Sequence, residues 1–322
     1  MMLEQPIRIG GLTAQNRLVM PPMQTNKTQQ GHVTDEMVAY YREHAVGSKP
    51  GVIIVEHCYV DASGRASKPQ LSFAADDMIP EHRKVADAIH SGGSLAFVQL
   101  NHAGSYGIDE PVSASSVNIP INKLAKRPRE LSVAEIRRIE KLFADAAMRA
   151  LRAGYDVVEI HCAHGYLLNQ FYSPITNKRT DDYGGALENR LRFALETVRC
   201  IRETVGEGVP VAVRLGGADY LPGGNKEEDA VEASVLLERS GVALLDISGG
   251  MCFFARPGHP EPGFFSSMTE KIKASVSAPV ILTGGIKTPE NAERLLVKGK
   301  ADLIGVGRAM LKNAAWGAEL CV

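Results

Sequence analysis

The sequence predicts an α/β fold: a single (β/α)8 TIM barrel with lid insertions after strands 3 and 6. Three observations predict it. Eight short apolar runs recur along the 322 residues, and helical periodicity fills most of the gaps between them. No Ser-, Gly- or Pro-rich linker divides the chain, so residues 1–322 read as one domain. Hydrophobic residues make up 44% of the chain and aromatics only 6%, a balance that suits an aliphatic parallel-sheet core.

In chain order, the apolar runs are residues 17–20, 51–55, 95–100 and 157–160, then 211–214, 243–247, 279–282 and 302–306. Each is short and β-branched enough to be a strand covered on both faces. Ser132-Val-Ala-Glu135 is a capping box, opening a helix that runs to Arg152 and stops at Gly154. Residues 226–239 and 288–298 repeat the pattern, closing on Gly241 and Gly299, where glycine suits a left-handed C-terminal turn. Two stretches fit neither element. Residues 101–129 carry Gly104, Gly107, Pro111, Pro120 and Pro128, and residues 249–265 mix aromatics with prolines. Loops of that length in compact domains are lids or binding loops.

Composition excludes several classes of function. With 36 basic and 37 acidic residues, the chain has no charge excess to draw it to nucleic acid or an anionic membrane. No run approaches 18 apolar residues, and Met1-Met-Leu-Glu-Gln-Pro6 lacks the basic and apolar regions of a signal peptide. The five cysteines, Cys58, Cys162, Cys200, Cys252 and Cys321, are odd in number and never spaced C-x-x-C. A reducing, cytoplasmic setting without a disulfide framework or cysteine-ligated metal is expected.

The most informative segment is His161-Cys-Ala-His164-Gly-Tyr166, directly after the apolar run Asp156-Val-Val-Glu-Ile160. Two imidazoles and a phenol thus emerge at a strand end, the rim where barrels meet substrate. Imidazole N–H groups can grip one electronegative atom while a phenol delivers a proton. Metal ligation by the two histidines is the competing reading, but no carboxylate or third histidine stands at ligand spacing nearby.

Thr283-Gly284-Gly285-Ile286 follows the seventh run, and Gly305-Val306-Gly307-Arg308 the eighth. Glycines at those two places let backbone N–H groups approach a phosphate, and an arginine completes the charge match. The other strand ends supply Pro21-Pro-Met-Gln-Thr25, Glu56-His57, Gln99, Arg214 and Ser248-Gly-Gly250. A heteroaromatic ring with carbonyl and imide edges needs such a mixture. Arg214 ends an otherwise apolar strand and needs an anionic partner, either a reduced flavin or Asp219 or Asp246.

These residues resemble the Old Yellow Enzyme family of FMN-dependent NADH:flavin oxidoreductases. The likeness runs from Asn16-Arg-Leu-Val-Met-Pro-Pro-Met23 to Gly305-Val-Gly-Arg308. It includes Gln99-Leu-Asn-His-Ala-Gly104, the His161 to Pro174 segment, Asn177-Lys-Arg-Thr-Asp-Asp-Tyr-Gly-Gly185 and Glu188-Asn-Arg190. The resemblance implies non-covalent FMN, reduction by NADH or NADPH, and a small activated alkene such as an enone as acceptor. It also leaves a homo-oligomer open. By position it implies that His161 and His164 hold the acceptor oxygen and that Tyr166 protonates the product carbon. Gln99 and Arg214 would meet the flavin pyrimidine edge, Pro22 and Met23 its face, and Gly284, Gly285, Gly307 and Arg308 its phosphate.

Three departures accompany the likeness. Gln24 stands where many relatives carry a cysteine or threonine that tunes the flavin. His57 stands where a small residue is usual, and is expected to hydrogen-bond the ring or crowd it. No cluster cysteines or long tail follow Trp316, so direct reduction by nicotinamide, or by a separate protein, is expected in place of an internal iron–sulfur path. Two other readings compete: a flavin-free barrel lyase or isomerase acting on a sugar phosphate, and a flavoprotein that only passes electrons to a partner. The first would favour a catalytic lysine at a strand end, and none of the eight carries one.

Overall fold

The computed structural model describes residues 1–120 and 126–318. Eight parallel strands form its centre: β1 (Leu18–Met20), β2 (Val52–Tyr59), β3 (Leu95–Asn101), β4 (Val157–Cys162), β5 (Val211–Ala218), β6 (Val242–Gly249), β7 (Val280–Thr283) and β8 (Leu303–Gly305). They pair in the order β1-β8-β7-β6-β5-β4-β3-β2, and pairing of Val19 with Val52 closes the ring. All eight runs read from the sequence are strands, though β2, β5 and β6 continue past their apolar stretch to the rim. Hydrogen-bond pairing with neighbours, not apolarity, carries those polar ends.

The helices are α1 (Asp35–Gly47), α2 (Ile79–His90), α3 (Val133–Arg152), α4 (Leu167–Tyr172), α5 (Leu187–Val205), α6 (Glu227–Arg239), α7 (Ser266–Lys273), α8 (Pro289–Val297) and α9 (Arg308–Lys312). Helix α3 starts with the expected capping box: Glu135 N–H donates to Ser132 Oγ, and Ser132 N–H donates to the Glu135 carboxylate. It buries Ile136, Ile139, Phe143, Ala147 and Ala150, a stripe at three- and four-residue spacing that packs on α5 and the barrel. The glycines after α3, α6 and α8 have positive φ, at 96° for Gly154, 95° for Gly241 and 68° for Gly299.

Strand alternation sorts the barrel into layers. Ile54, Phe97, Val157, Ala212, Leu244, Ile281 and Leu303 point inward and form a dry floor. The hairpin of Ile7–Ile9 with Leu12–Ala14 plugs that floor from below through Ile9 and Ala14. Two residues further along five of these strands the inward positions become polar: Gln99, Glu159, Arg214, Asp246 and Thr283. One more step reaches His161 and Ser248. The floor is apolar and the mouth chemical, as the period of two dictates.

Residues 101–129 are less irregular than their composition implies. Asn101 still belongs to β3, Gly104–Tyr106 is a 3-10 turn, and Val112–Ser113 pairs in parallel with Arg129–Glu130. The part of this insertion at 121–125 lies outside the described residues, as does Cys321. The Asn177 to Gly185 motif proves to be its latch. Buried Arg179 donates to the carbonyls of Ala114 and Leu131 at 3.1 and 2.6 Å and pairs with Asp181. Lys178 N–H donates to Ser115 Oγ.

Candidate active site

A cavity of about 1050 Å³ opens at the C-terminal end of the strands. Pro22, Met23, Gln24, His57, Gln99, His161, His164, Tyr166, Arg214, Gly284, Gly285, Gly307 and Arg308 line it, whereas Thr25, Glu56 and residues 248–250 of the same strand ends do not. Tyr106, Phe253 and Phe254 reach the cavity from the segments after β3 and β6, while Ala66 and Ser67 come from the loop after β2. That last loop and Lys287 were missed from the sequence, where nothing in local periodicity marks them.

His161 lies within β4, and His164 follows it in a left-handed conformation with φ of 57°. This turn folds the second imidazole back over the first, with ring centroids 5.1 Å apart and planes at 90°. His164 Nε2 lies 2.7 Å from Ser248 Oγ. His161 Nδ1 is buried without a partner among the described residues. Leaving a lone pair unpaired is cheaper than leaving an N–H unpaired, so we assign the His161 proton to Nε2, facing the cavity. Burial pushes both imidazoles well below the ordinary value of 6.5, helped at His161 by His164 and at both by Arg214. They are neutral donors at pH 7.

Tyr166 closes the short loop leaving β4 and is the N-cap residue of α4. Its ring centroid lies 4.9 Å from that of His161 and 5.5 Å from that of His57. Burial raises its phenol to about 12, so it holds its proton throughout the neutral range.

Below these groups, Gln99 Nε2 donates to Glu159 Oε1 at 2.7 Å, and Arg214 Nε lies 3.2 Å from Asp246 Oδ2. Asp246, not Asp219, therefore faces the arginine. Asp219 instead accepts from Ser173 Oγ and from the amides of Asn225 and Met251. Burial pushes both Glu159 and Asp246 up, with Asp246 adding to the rise at Glu159 and Arg214 opposing it in both. Arg214 Nε and Asp246 are poorly aligned and count as hydrogen-bond orphans despite their proximity. The guanidinium thus retains donor capacity toward the cavity.

Glu56 has a structural task. Its carboxylate accepts Thr25 N–H at 2.8 Å and Thr25 Oγ–H at 2.6 Å, pinning the 21–25 segment to β2. Gln24 Nε2 donates to Ser67 Oγ at 2.9 Å, tying the same segment to the loop after β2.

The cavity suits FMN, which the resemblance implies. Gly285 has φ of 65°, and a Cβ there would sit 3.0 Å from the Phe264 ring. A Cβ at Gly307 would lie 3.1 Å from Met23 Sδ. These close-packed glycines leave bare backbone lining the cavity, beside Arg308 and Lys287 as cations. Gln99 and Arg214 supply donors at the opposite, inner end, and the residues present fit the group.

Comparison with known proteins agrees with this geometry. The chain is 40% identical over 321 residues to an NADH oxidase of Thermoanaerobacter brockii, covering 96% of this chain and 49% of that protein. It thus spans about half the length of that relative. It is 36% identical over 322 residues to an NADPH dehydrogenase of Geobacillus sp. (strain WCH70), covering 98% and 92% of the two chains. The solved structure of the old yellow enzyme homologue from Zymomonas mobilis matches with a TM-score of 0.85 at 29% identity, covering 99% of this chain and 92% of that one. The model of the NADH:flavin oxidoreductase / NADH oxidase family matches residues 2–320. With an FMN-compatible cavity on a closed eight-stranded barrel, the chain belongs to that family, the Old Yellow Enzyme group of flavin barrels.

Proposed function

We propose that this protein reduces the activated C=C bond of an α,β-unsaturated carbonyl or related acceptor with NADH or NADPH as donor, in a ping-pong cycle. Bound FMN supplies the hydride chemistry that links the two half-reactions. The observation that carries the reading is that one cavity holds both the Gln99, Arg214 and glycine-turn set and the His161, His164 and Tyr166 set. Donor and acceptor would occupy it in turn, as a ping-pong cycle requires.

His161 and His164 donate hydrogen bonds to the acceptor oxygen. Because both are neutral and already oriented, they stabilise charge as it develops without reorganising. Tyr166 delivers a proton to the carbon next to the carbonyl. A phenol at about 12 is a weak acid, but it suffices for a carbanion-like carbon held within reach. Gln99 and Arg214 hold the cofactor's pyrimidine edge, Pro22, Met23 and Gln24 its face, and Gly284, Gly285, Gly307 and Arg308 its phosphate. Tyr106, Phe253 and Phe254 act as lid residues that exclude water. A cytoplasmic setting belongs to the same proposal, supported by five cysteines, odd in number and never spaced C-x-x-C.

Tyr166→Phe tests the reading, since it keeps the ring and deletes the acid. Anaerobic reoxidation of the reduced variant by a simple enone should slow strongly. A nitroalkene, whose nitronate can be protonated by water, should suffer less. Equal enone rates in variant and wild type, with chemistry rate-limiting, would reduce Tyr166 to a packing residue.

A further inference from the structure

His57 is the polar cavity residue whose position alternation does not explain. On β2, Val52 and Ile54 face the barrel interior, while Ile53, Val55 and Cys58 join the outer core beneath the helices. Continued alternation would send His57 outward with Val55. Instead the register against β3 slips: Val55 pairs with Val98, but Cys58 pairs with Leu100. The extra residue makes a β-bulge, a device that re-aims a side chain beside an active site. His57 therefore turns into the cavity, while Glu56 beside it holds Thr25.

The His57 ring sits among the groups assigned to the acceptor, 5.5 Å from Tyr166 and 6.3 Å from His161 between centroids. Its Nε2 is buried with no partner among the described residues. By the argument used for His161, the proton belongs on Nδ1, directed to the cavity. Burial and Arg214 lower this imidazole to about 4, so it too is neutral and offers one N–H.

The cavity thus presents three imidazole donors. A carbonyl oxygen has two lone pairs in its plane, which His161 and His164 occupy in the proposed reaction. The third donor needs a different acceptor atom. We infer that His57 is a specificity-determining residue that selects acceptors carrying a second neutral oxygen, such as an alkene flanked by two carbonyl groups. The inference rests on the proposed function in taking His161 and His164 as the site of the first oxygen.

The test pairs 2,2-dimethylcyclopent-4-ene-1,3-dione with 5,5-dimethylcyclopent-2-enone, the same ring with one carbonyl fewer. His57→Ala should raise the KM of the dione about five-fold more than that of the enone, the size of one neutral hydrogen bond. Comparing each acceptor between variant and wild type cancels the intrinsic reactivity of the dione. His57→Asn, which restores an N–H donor, should recover part of the difference. Calorimetric binding of the saturated dione and saturated ketone to the FMN-loaded protein should show the same ratio without turnover. Equal effects on both ligands would make His57 a packing residue. A shift in FMN affinity or reduction potential with the ligand ratio unchanged would place it on the cofactor instead. If wild type reduces neither alkene, the functional proposal fails, while the calorimetric ratio still decides the role of His57.

Discussion

Replacing Glu56 with Gln should flatten the dependence of stability on pH. The carboxyl is buried at the junction of β2 and the 21–25 segment, and burial lifts it from its ordinary 4.5 to about 7 against the opposing Thr25 hydrogen bonds. The folded protein therefore binds this proton more tightly than the unfolded chain does. The stability contributed is complete below about 4.5 and is lost as pH rises to about 7. At about 1.36 kcal/mol per pH unit of displacement, the loss is roughly 3 kcal/mol. Glutamine mimics the neutral acid, with its carbonyl accepting Thr25 N–H and its amide donating to Thr25 Oγ. It does not titrate. Urea denaturation of FMN-free wild type and Glu56→Gln between pH 4.5 and 8.5 isolates the effect, because other titrating groups are common to both. The variant should gain on wild type by up to about 3 kcal/mol across the window. Two curves that run parallel throughout would refute the argument and leave Glu56 ionised in the folded protein.

Three other substitutions probe the phosphate end, the acceptor site and the helical layer. Arg308→Ala should weaken FMN binding about ten- to a hundred-fold, the value of a charge-assisted phosphate contact, measured by flavin fluorescence quenching; unchanged affinity would remove Arg308 from the site. His161→Ala with His164→Ala should keep FMN and its reduction by NAD(P)H but slow enone reduction at least about 100-fold in anaerobic stopped flow. Stoichiometric zinc in wild type, lost in that variant together with activity, would overturn the acceptor assignment. Ile139→Ala, at a position 1% exposed on the inner face of α3, should cost about 2–5 kcal/mol in denaturation midpoint analysis, and a loss below about 1 kcal/mol would show that the α3–α5 seam repacks.

What the residues determined by themselves was the local grammar. Eight apolar runs specify eight strands, the Ser132 box starts α3, and alternation alone puts Gln99 and Arg214 two residues, and His161 four residues, beyond the apolar floor. The chemistry of the mouth was therefore legible before any folding was considered, since period-two and period-3.6 patterns are properties of neighbours in sequence. Tertiary structure decided what depends on distant partners. The inward turn of His57 comes from a register slip against β3, and only the neighbouring strand fixes register. Asp246 rather than Asp219 faces Arg214 because β5 and β6 pair with those two residues side by side. The Asn177 to Gly185 motif, which reads like chemistry, proves to be a latch for residues 114 and 131, because a buried guanidinium must find carbonyls wherever the fold supplies them.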